Sequence, residues 1–343
     1  MSVTIKDIAK MAEVSPSTVS KALNGKPDVG EATRKHIQEI AQKYNFTPSS
    51  LGRGLKSGLT ENVGVIFIRE SQPLTMNPFY SHILEGIELE LTKRNNNMVL
   101  HLLPATPRPE PPKLLTGRWL DGVILVGVAR RTILDQIHQF GLPVVLVDPR
   151  IAAPDCIQVL IDNTQGGFAA TEHLIKQGHK NIGFISGSLD RLSFSERLEG
   201  YRQALGHYGI AYDERRVQSG GLEQGYQHMR DLLDLDEPPT AIFAANDING
   251  IFAYKAIRES GCSIPEDISV IGFDDIDLAA RSSPPLTTVR VFKEEMGAIA
   301  VRLLLDLVSG KELPSSTIMV PTQLVERESV APIGDDEWIK LNS

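Results

Sequence analysis

Polar side chains follow four apolar runs of this sequence, at the points where buried parallel strands would end. Open α/β sheets bind ligands at the carboxyl ends of their strands, so these residues are the first candidates for chemistry. Carboxylates, amides and a guanidinium can together hold vicinal hydroxyl groups, which suits a saccharide, another polyol or a nucleoside. The residues concerned are Asp148 after VVLV, Ser186 after IGFI, Asn246 and Asp247 after AIFAA, and Asp274 and Asp275 after VIGF.

Several side chains near these strand ends have alternative roles. Arg197 is expected to open the helix of RLEGYRQAL, where it could bind a ligand or form a structural ion pair. Asp247 is expected to cap the next helix rather than touch a ligand, and Asp275 to cap a helix or form a turn. Three aromatic rings could stack on a sugar or, as is more common, pack in the core: Phe79, Phe194 and Phe273.

The N-terminus has the spacing of two short helices joined by a tight turn. Thr4-Ile5-Lys6-Asp7 has the pattern of a capping box and predicts a first helix from Ile5. Ser15-Pro16 predicts the start of a second helix, which should end at Asn24-Gly25. A third helix, from about Glu31 to Tyr44, would cover the pair. This is the layout of a DNA-reading helix-turn-helix, although a generic helical subdomain has the same pattern.

Charge is distributed unevenly along the 343 residues, whose net charge is -8. The first sixty residues contain nine Lys and Arg against five Asp and Glu, whereas the remainder contains 26 against 38. A basic head before an acidic body suggests a nucleic-acid module joined to a second function, although a solvated surface would give the same difference. The 28 Gly and 21 Pro are near the average for globular chains, which excludes collagen-like and wholly disordered classes.

From Asn62 onward, apolar runs typical of strands alternate with amphipathic segments typical of helices. A first set of strands is expected at 63–68, 98–103, 122–126 and 144–147, with helices at about 79–94 and 132–140. A second set begins with strand 157–161 and adds strands 182–186, 241–244 and 269–272 and helices 166–176, 195–208 and 250–259. The alternation predicts parallel sheets, and the two sets predict two similar subdomains.

Cysteine spacing and the lack of common motifs argue against several classes of protein. Cys156 and Cys262 lie far apart, so neither a disulfide framework nor a zinc site is expected. No stretch reaches the roughly 18 apolar residues of a membrane span and no signal peptide is evident, so a cytoplasmic location is expected. Common enzyme motifs are missing, so no catalytic residue, cofactor or metal is expected. The histidines, among them His173, His179 and His207, are expected to be solvated.

The segment Thr4 to Gly25, TIKDIAKMAEVSPSTVSKALNG, resembles the headpiece of the lactose/galactose repressor (LacI/GalR) family. The resemblance continues through YNFTP at Tyr44 to Pro48 and RGLK at Arg53 to Lys56, where the family has a hinge helix. In the body it is carried by HLIKQGHKNIGFISG, RLEGYRQAL, PTAIFAANDINGIFAYKAI, DISVIGFDDI, PPLTTV and LVERESV. It implies an N-terminal all-α helix-turn-helix headpiece plus an α/β periplasmic-binding-protein-like body of two doubly wound parallel-sheet lobes.

The resemblance also implies which residues contact DNA. Pro16, Ser17 and Lys21 match the positions from which the family reads bases in the major groove. Lys21 stands where the family usually has Arg, so a point charge replaces a bidentate fork. Leu55 matches the hinge leucine that a dimer wedges into the minor groove at a central C-G step, and a packed linker residue is the alternative. Phosphate contacts or helix caps are implied for Thr4, Ser15, Thr18, Ser20 and Asn24.

An effector site is implied between the two lobes. Asp148, Arg197, Asn246 and Asp274 match positions at which sugar-responsive members of the family bind their effector, and Phe79 and Ser195 complete the predicted set. Closure of the lobes on the effector would alter the spacing of the headpieces. Such an effector acts only through its different affinities for DNA-competent and DNA-incompetent states.

The predicted boundaries are a headpiece at 1–48, a hinge helix or linker at 49–61, a body for effector binding and dimerisation at 62–333 and a tail at 334–343. Within the body, the N-lobe covers about 62–160 and 291–320, and the C-lobe covers about 161–290 and 321–333. Three crossovers are expected near 161–163, 290–292 and 320–322. The Pro-rich segment from Pro104 to Pro112 is expected to be a shortened helix or an extended loop.

The predicted function is that of a transcriptional regulator, most simply a repressor that binds double-stranded operator DNA. A homodimer on a palindromic site is expected, because one helix-turn-helix contacts only a weak half-site. The expected effector is a saccharide, with a nucleoside or a corepressor as alternatives. An enzyme on a doubly wound fold is one rival. A solute-binding protein of a transporter is another, but it would need a signal peptide and has no use for residues 1 to 60.

Overall fold

The computed structural model describes residues 3–23, 25–44, 46, 59–69, 77–104, 113–117, 119–127, 131–149, 153, 156–221, 224–313 and 317–333. Contacts divide the chain into two compact units, Met1–Glu61 and Asn62–Ser343. Some predictions concern positions outside the described residues: Asn24, Leu55, most of the hinge at 49–61, the Pro-rich segment after Pro104, and the tail at 334–343.

Three helices lie in the first unit: α1 (Ile5–Met11), α2 (Pro16–Leu23) and α3 (Glu31–Lys43). Each helix contributes a fully buried side chain, Ile8, Val19 and Ile37, to one small apolar core. Burial of apolar surface therefore holds the three helices together. A unit of this size buries little apolar surface, so its core is small.

Side-chain caps fix where the first two helices begin. The capping box is present: the Thr4 amide donates to the Asp7 carboxylate at 2.9 Å, and the Asp7 amide donates to Thr4 Oγ1 at 3.4 Å. At the start of α2, the Thr18 amide donates to Ser15 Oγ at 3.1 Å. These bonds satisfy amides that have no partner inside the helix, so the predicted helix starts are confirmed.

The N-lobe of the second unit is built on a six-stranded, fully parallel sheet in the order β11-β5-β4-β3-β1-β2. Its strands are β1 (Asn62–Arg69), β2 (Asn97–Pro104), β3 (Gly122–Val126), β4 (Val144–Val147), β5 (Ile157–Ile161) and β11 (Thr317–Val320). Its helices are α4 (Pro78–Lys93), α5 (Lys113–Thr116), α6 (Arg131–Gln139) and α12 (Lys293–Val308). The strand at 157–161, assigned by periodicity to the second set, pairs with β4 and β11 and so belongs to the first sheet.

The C-lobe repeats this architecture with the order β12-β10-β9-β8-β6-β7, in which only β12 is antiparallel. Its strands are β6 (Ile182–Gly187), β7 (Val217–Gly220), β8 (Ala241–Ala244), β9 (Ser269–Asp274), β10 (Thr287–Val291) and β12 (Thr322–Val325). Its helices are α7 (Asn163–Lys176), α8 (Leu192–His207), α9 (Gly225–Leu233), α10 (Asp247–Glu259) and α11 (Asp277–Arg281), with a 3-10 turn at Glu214–Arg216. The fold class predicted from the sequence is confirmed, although several elements were not predicted: β7, β10, β12, α9 and α11 in this lobe, and β11, α5 and α12 in the N-lobe.

One helix pair in each lobe packs with backbones in direct contact. A Cβ at Gly86 of α4 would lie 2.1 Å from the Glu294 carbonyl oxygen of α12. In the C-lobe, a Cβ at Gly200 of α8 would lie 2.1 Å from the Thr164 carbonyl oxygen of α7. Glycine is therefore required at both crossings, since any side chain would force the helices apart.

Three short crossovers join the lobes and set which edges of the sheets meet. Strand β5 ends at Ile161 and α7 begins at Asn163, β10 ends at Val291 and α12 begins at Lys293, and β11 ends at Val320 and β12 begins at Thr322. Each crossover leaves the carboxyl end of a parallel strand, so the carboxyl edges of the two sheets face each other. We call the space between these edges the interlobe cleft. In the described ranges, every helix is too short or too polar to cross a lipid bilayer.

Candidate functional site

The outer face of α2 carries the residues predicted to read bases. Pro16 and Ser17 are exposed and Lys21 is partly exposed, whereas Val19 and Ala22 on the opposite face are buried. The inner face thus fixes the helix on its neighbours and leaves the polar face available for a groove. DNA contact by these residues stays a prediction.

Hydroxyl groups near the helix starts already serve as caps. The Ser15 and Thr18 hydroxyl oxygens lie 2.9 Å apart, and Thr4 Oγ1 donates to Asp7 at 2.7 Å. The capping alternative is therefore present for Thr4 and Ser15, whereas the Thr18 hydroxyl bonds to Ser15 and caps no amide, and a phosphate contact would be an additional bond. Ser20 is partly exposed on α2.

Lys21 has a partner that sequence reasoning missed. Its Nζ donates to Asp28 Oδ2 at 2.5 Å, and the two side chains are 42% and 52% exposed. This hydrogen bond lowers the pKa of Asp28. An acid seven residues away carries no signal of such a contact, because it depends on how the loop after α2 folds.

Arg197 lies at the centre of the polar groups in the cleft and is only 3% exposed. Its Nε donates to Asn163 Oδ1 at 2.9 Å, and its Nη1 donates to the Ala245 carbonyl at 2.5 Å. The guanidinium lies over the ring of Phe273, 3.7 Å from the centroid. The prediction that Arg197 opens its helix is wrong, because α8 begins at Leu192 without a side-chain cap that the sequence could reveal.

Asp274 pairs with Arg197 at the end of β9. Its Oδ1 lies 3.2 Å from Arg197 Nη1, and its backbone φ of 112° is a rare, strained value for a residue with a side chain. That contact is not aligned as a hydrogen bond, and none of the described side chains donates one to the buried Oδ1. Burial raises the pKa of Asp274, while Arg197 and Lys293 oppose that shift. The oxygen can therefore accept a hydrogen bond from a ligand.

Asp275 follows Asp274 and stabilises the turn after β9. Its carboxylate accepts from Arg290 Nε at 2.6 Å and from Arg327 Nη2 at 2.5 Å. The buried Lys293 ammonium donates to the carbonyls of Asp274 at 2.5 Å and Asp275 at 3.1 Å. Asp275 lies at a turn with a φ of 51°, but its side chain pairs with cations instead of capping a helix.

Asp247 does not cap a helix, contrary to the prediction. Asn246 is the N-cap of α10, and its Oδ1 accepts from the Asn249 amide at 3.1 Å. The fully buried Asp247 accepts from Thr288 Oγ1 at 2.5 Å and from the Ile276 amide at 2.9 Å. Burial, followed by the nearby charge of Asp274, raises the pKa of Asp247 to about 8. The helix thus starts one residue later than expected, so Asn246 takes the cap that was predicted for Asp247, and Asp247 bonds within the core.

The N-lobe contributes Asp148 to the cleft. It follows β4 with a φ of 47°, and the Tyr80 hydroxyl donates to its Oδ2 at 2.9 Å. Phe79 is partly exposed and meets the Tyr80 ring edge-on with centroids 5.0 Å apart. Tyr80 was missed as a site residue, and its only signal was adjacency to Phe79 at the start of a helix.

Four other predicted side chains are used within the fold. Ser186 is fully buried and donates to the Gly187 carbonyl at 2.9 Å, and Ser195 donates to the Leu192 carbonyl at the same distance. Phe194 and Phe273 are 4% and 0% exposed, so the core alternative holds for both rings. Of the predicted site residues, Arg197 and Asp274 form an ion pair, and the buried ring of Phe273 packs under the Arg197 guanidinium.

Asn163 and Glu196 are cleft residues that sequence reasoning missed. The Asn163 amide donates to Glu196 Oε2 at 2.9 Å while its oxygen holds Arg197. Burial raises the pKa of Glu196 despite the Asn163 hydrogen bond. Asn163 lies two residues beyond β5, so the strand-end rule that found Asp148 could also have been applied to it.

Two further features lie away from the cleft. His82, Glu85 and Glu294 bring three potential metal ligands within 4.8 Å of one another on α4 and α12, but His82 Nδ1 already lies 2.8 Å from Glu294 Oε1. A cavity of about 980 Å³ lies at the amino edge of the C-lobe sheet, opposite the cleft, and is lined by residues of both charges. His179 borders it and is buried, so the expectation that the histidines are solvated is wrong there.

Models of two protein families match the chain: bacterial regulatory proteins of the lacI family at residues 4–49, and a periplasmic binding protein-like domain at 171–330. The HTH-type transcriptional regulator CelR of Thermobifida fusca is 35% identical over 336 residues, covering 95% of this chain and 98% of that protein. The HTH-type transcriptional repressor PurR of Aliivibrio salmonicida is 31% identical over 333 residues, with coverage of 95% and 98%. A solved CelR-cellobiose complex is 33% identical with a TM-score of 0.71, covering 95% of this chain and 99% of that one.

Proposed function

The chain belongs to the lacI family of bacterial regulatory proteins and is a DNA-binding transcriptional regulator, and we propose that it represses transcription as a homodimer on a palindromic operator. The exposed polar face of α2, with Pro16, Ser17 and Lys21, is the surface for the major groove. A dimer doubles the contacts of one small helical unit and makes the site two-fold symmetric. The protein acts in the cytoplasm, in keeping with its two cysteines, Cys156 and Cys262, which form no disulfide with each other.

The effector that we propose is a saccharide held in the interlobe cleft by Asp148, Arg197, Asn246 and Asp274. The observation that carries this proposal is the buried Asp274 Oδ1, which lies beside a cation but has no aligned donor among the described residues. A sugar hydroxyl supplies such a donor, and its oxygen can accept from the Arg197 guanidinium. Asn246 uses its oxygen as a cap, so its amide nitrogen is the group offered to the ligand. CelR, a relative, has been solved with cellobiose.

A ligand panel tests the effector class. Cellobiose, ribose and adenosine are added to the full chain, and both its melting temperature and its affinity for a selected operator are measured. We expect a saccharide to raise the melting temperature and to weaken operator binding, because it binds the two states of the body unequally. A response to adenosine alone would replace the saccharide by a nucleoside.

A variant then tests the site. Asp274→Asn keeps the shape of the side chain, and we expect it to weaken binding of the active sugar at least tenfold, as measured by calorimetry, because a charged acceptor is lost. Asp234→Asn, on an exposed residue at the opposite edge of the C-lobe, is the control and should bind normally. Unchanged affinity in Asp274→Asn would refute the assignment.

A further inference from the structure

The contact between Lys21 and Asp28 places an anion beside the base-reading lysine of the proposed DNA surface. The Lys21 ammonium and the Asp28 carboxylate are 2.5 Å apart, and both remain open to solvent. In the described part of the chain, Asp28 is the one acid within ion-pair distance of Lys21. The proposed DNA surface thus carries a negative charge beside Lys21.

The loop that carries Asp28 is held by its own hydrogen bonds. Gly25 has a φ of 67°, and the Lys26 amide donates to the Lys21 carbonyl at 3.0 Å, which closes the end of α2. From α3, Arg34 Nη2 donates to the carbonyls of Lys26 at 2.6 Å and Val29 at 3.2 Å. Val29 itself is buried. The loop backbone is therefore fixed on both sides of Asp28, which places its carboxylate within reach of Lys21.

This pair of side chains presents a donor and an acceptor next to each other. In the major groove, guanine offers two acceptors, O6 and N7, and its paired cytosine offers the N4 amino donor. The lysine ammonium can donate to the two guanine acceptors, and the carboxylate can accept from the cytosine amino group. An adenine-thymine pair presents its amino donor between two acceptors, adenine N7 and thymine O4, so it lacks the two adjacent acceptors of guanine, and phosphates offer acceptors alone, which repel the carboxylate.

We propose that Asp28 is a specificity-determining residue that, together with Lys21, reads one guanine-cytosine pair in each half-site of the operator. The inference rests on the proposed operator binding. At that pair Lys21 donates to guanine and Asp28 accepts from cytosine. On other DNA, the carboxylate holds Lys21 back from the phosphates and adds repulsion, so it lowers non-specific affinity. A single acidic residue thereby raises the ratio of specific to non-specific DNA affinity.

The test uses the full chain with an operator enriched from a random duplex pool, and with duplexes in which each base pair is changed in turn. Binding of wild type, Asp28→Ala, Lys21→Ala and the double variant is measured by fluorescence anisotropy at several salt concentrations. Glu39→Ala removes an exposed acid from α3 and is the matched control. Thermal unfolding confirms that each variant is folded, as expected for changes at exposed positions.

We expect Asp28→Ala to bind scrambled DNA several-fold more tightly and to lose on the order of tenfold discrimination at one guanine-cytosine pair. The same change in the Lys21→Ala background should have a much smaller effect, because the two residues act together. If wild type discriminates and Asp28→Ala discriminates equally well at every base pair, the role of Asp28 is refuted and operator binding stands. If wild type itself shows no preference for any base pair, the proposed operator binding is refuted, and the role of Asp28 is refuted with it.

Discussion

The two lobes have equivalent strand orders but different strand ends. In each sheet the third strand, β4 in the N-lobe and β9 in the C-lobe, is followed by or ends in an aspartate with a positive φ. Asp148 of the N-lobe is partly exposed and meets the Tyr80 hydroxyl, whereas Asp274 of the C-lobe is buried beside Arg197 and its backbone carbonyl accepts from Lys293. The two lobes share a scaffold but differ in the side chains at their strand ends. The C-lobe lines the cleft with buried, paired charges, whereas the N-lobe contributes a partly exposed aspartate and a tyrosine hydroxyl.

Each lobe contains a helix pair whose backbones pack in direct contact. Gly86 in the N-lobe and Gly200 in the C-lobe both allow helix backbones to touch. The difference at the cleft is therefore one of charge and burial, not of how well the helices pack. Each prediction below changes one buried polar side chain, and the first and last compare that change with one at the surface.

The largest expected effect belongs to Arg197→Met. Removing this cation leaves Asp274 buried without its partner, so we expect the free energy of unfolding to fall by about 3–5 kcal/mol. Lys311→Met in the N-lobe removes a cation that pairs with Asp306 at the surface and should cost less than about 1 kcal/mol. Urea unfolding of both variants measures the contrast. Equal losses would show that the C-lobe is not the more charged of the two scaffolds.

A pH series on Asp247→Asn should give an intermediate effect. Because the folded protein raises the pKa of Asp247 to about 8, its contribution to stability is greatest below the usual value of 3.8 and is lost as pH rises toward 8. Asparagine cannot ionise and can still accept from the Ile276 amide. We expect the variant to gain stability relative to wild type as pH increases from 5 to 8, by on the order of 1 kcal/mol per pH unit. Melting temperatures across this range check the trend, and parallel curves would contradict it.

Replacing His179 should change the pH dependence of stability in the opposite sense to replacing Asp247. Burial lowers the pKa of His179 from 6.5 to about 4, so its neutral form is favoured in the folded state and stability is lost as pH falls through this range. His179→Gln should therefore lose less stability than wild type between pH 6.5 and 4.5. Thermal unfolding of both proteins measures the difference. A steeper loss in the variant would mean that His179 is not held neutral.

The smallest expected effect is that of Tyr80→Phe in the N-lobe. The variant loses the hydrogen bond to Asp148, and we expect a loss of about 1 kcal/mol in unfolding free energy, since Asp148 keeps access to water. Tyr226→Phe, which removes an exposed hydroxyl that contacts Glu259, is the control and should change stability less. A loss as large as that of Arg197→Met would erase the contrast between the lobes.

Local patterns in the sequence predicted the fold class, the capping box of α1 and the strand ends at Asp148, Asn246 and Asp274. These features depend on residues within a few positions of one another. The role of Asp247 could not be read in this way, because its partners Ile276 and Thr288 lie 29 and 41 residues along the chain. Periodicity identified the strand at 157–161 but carried no information about which sheet it joins.

The discontinuous N-lobe has a consequence for protein synthesis. Its sheet needs β11, Thr317–Val320, which pairs with β5 but is translated long afterwards. At roughly 5–20 residues per second, a ribosome needs on the order of ten seconds or more to bridge that gap. The helices of the first unit pack on one another and emerge first. A nascent chain therefore carries a complete α2 surface before it has a body that can respond to any effector.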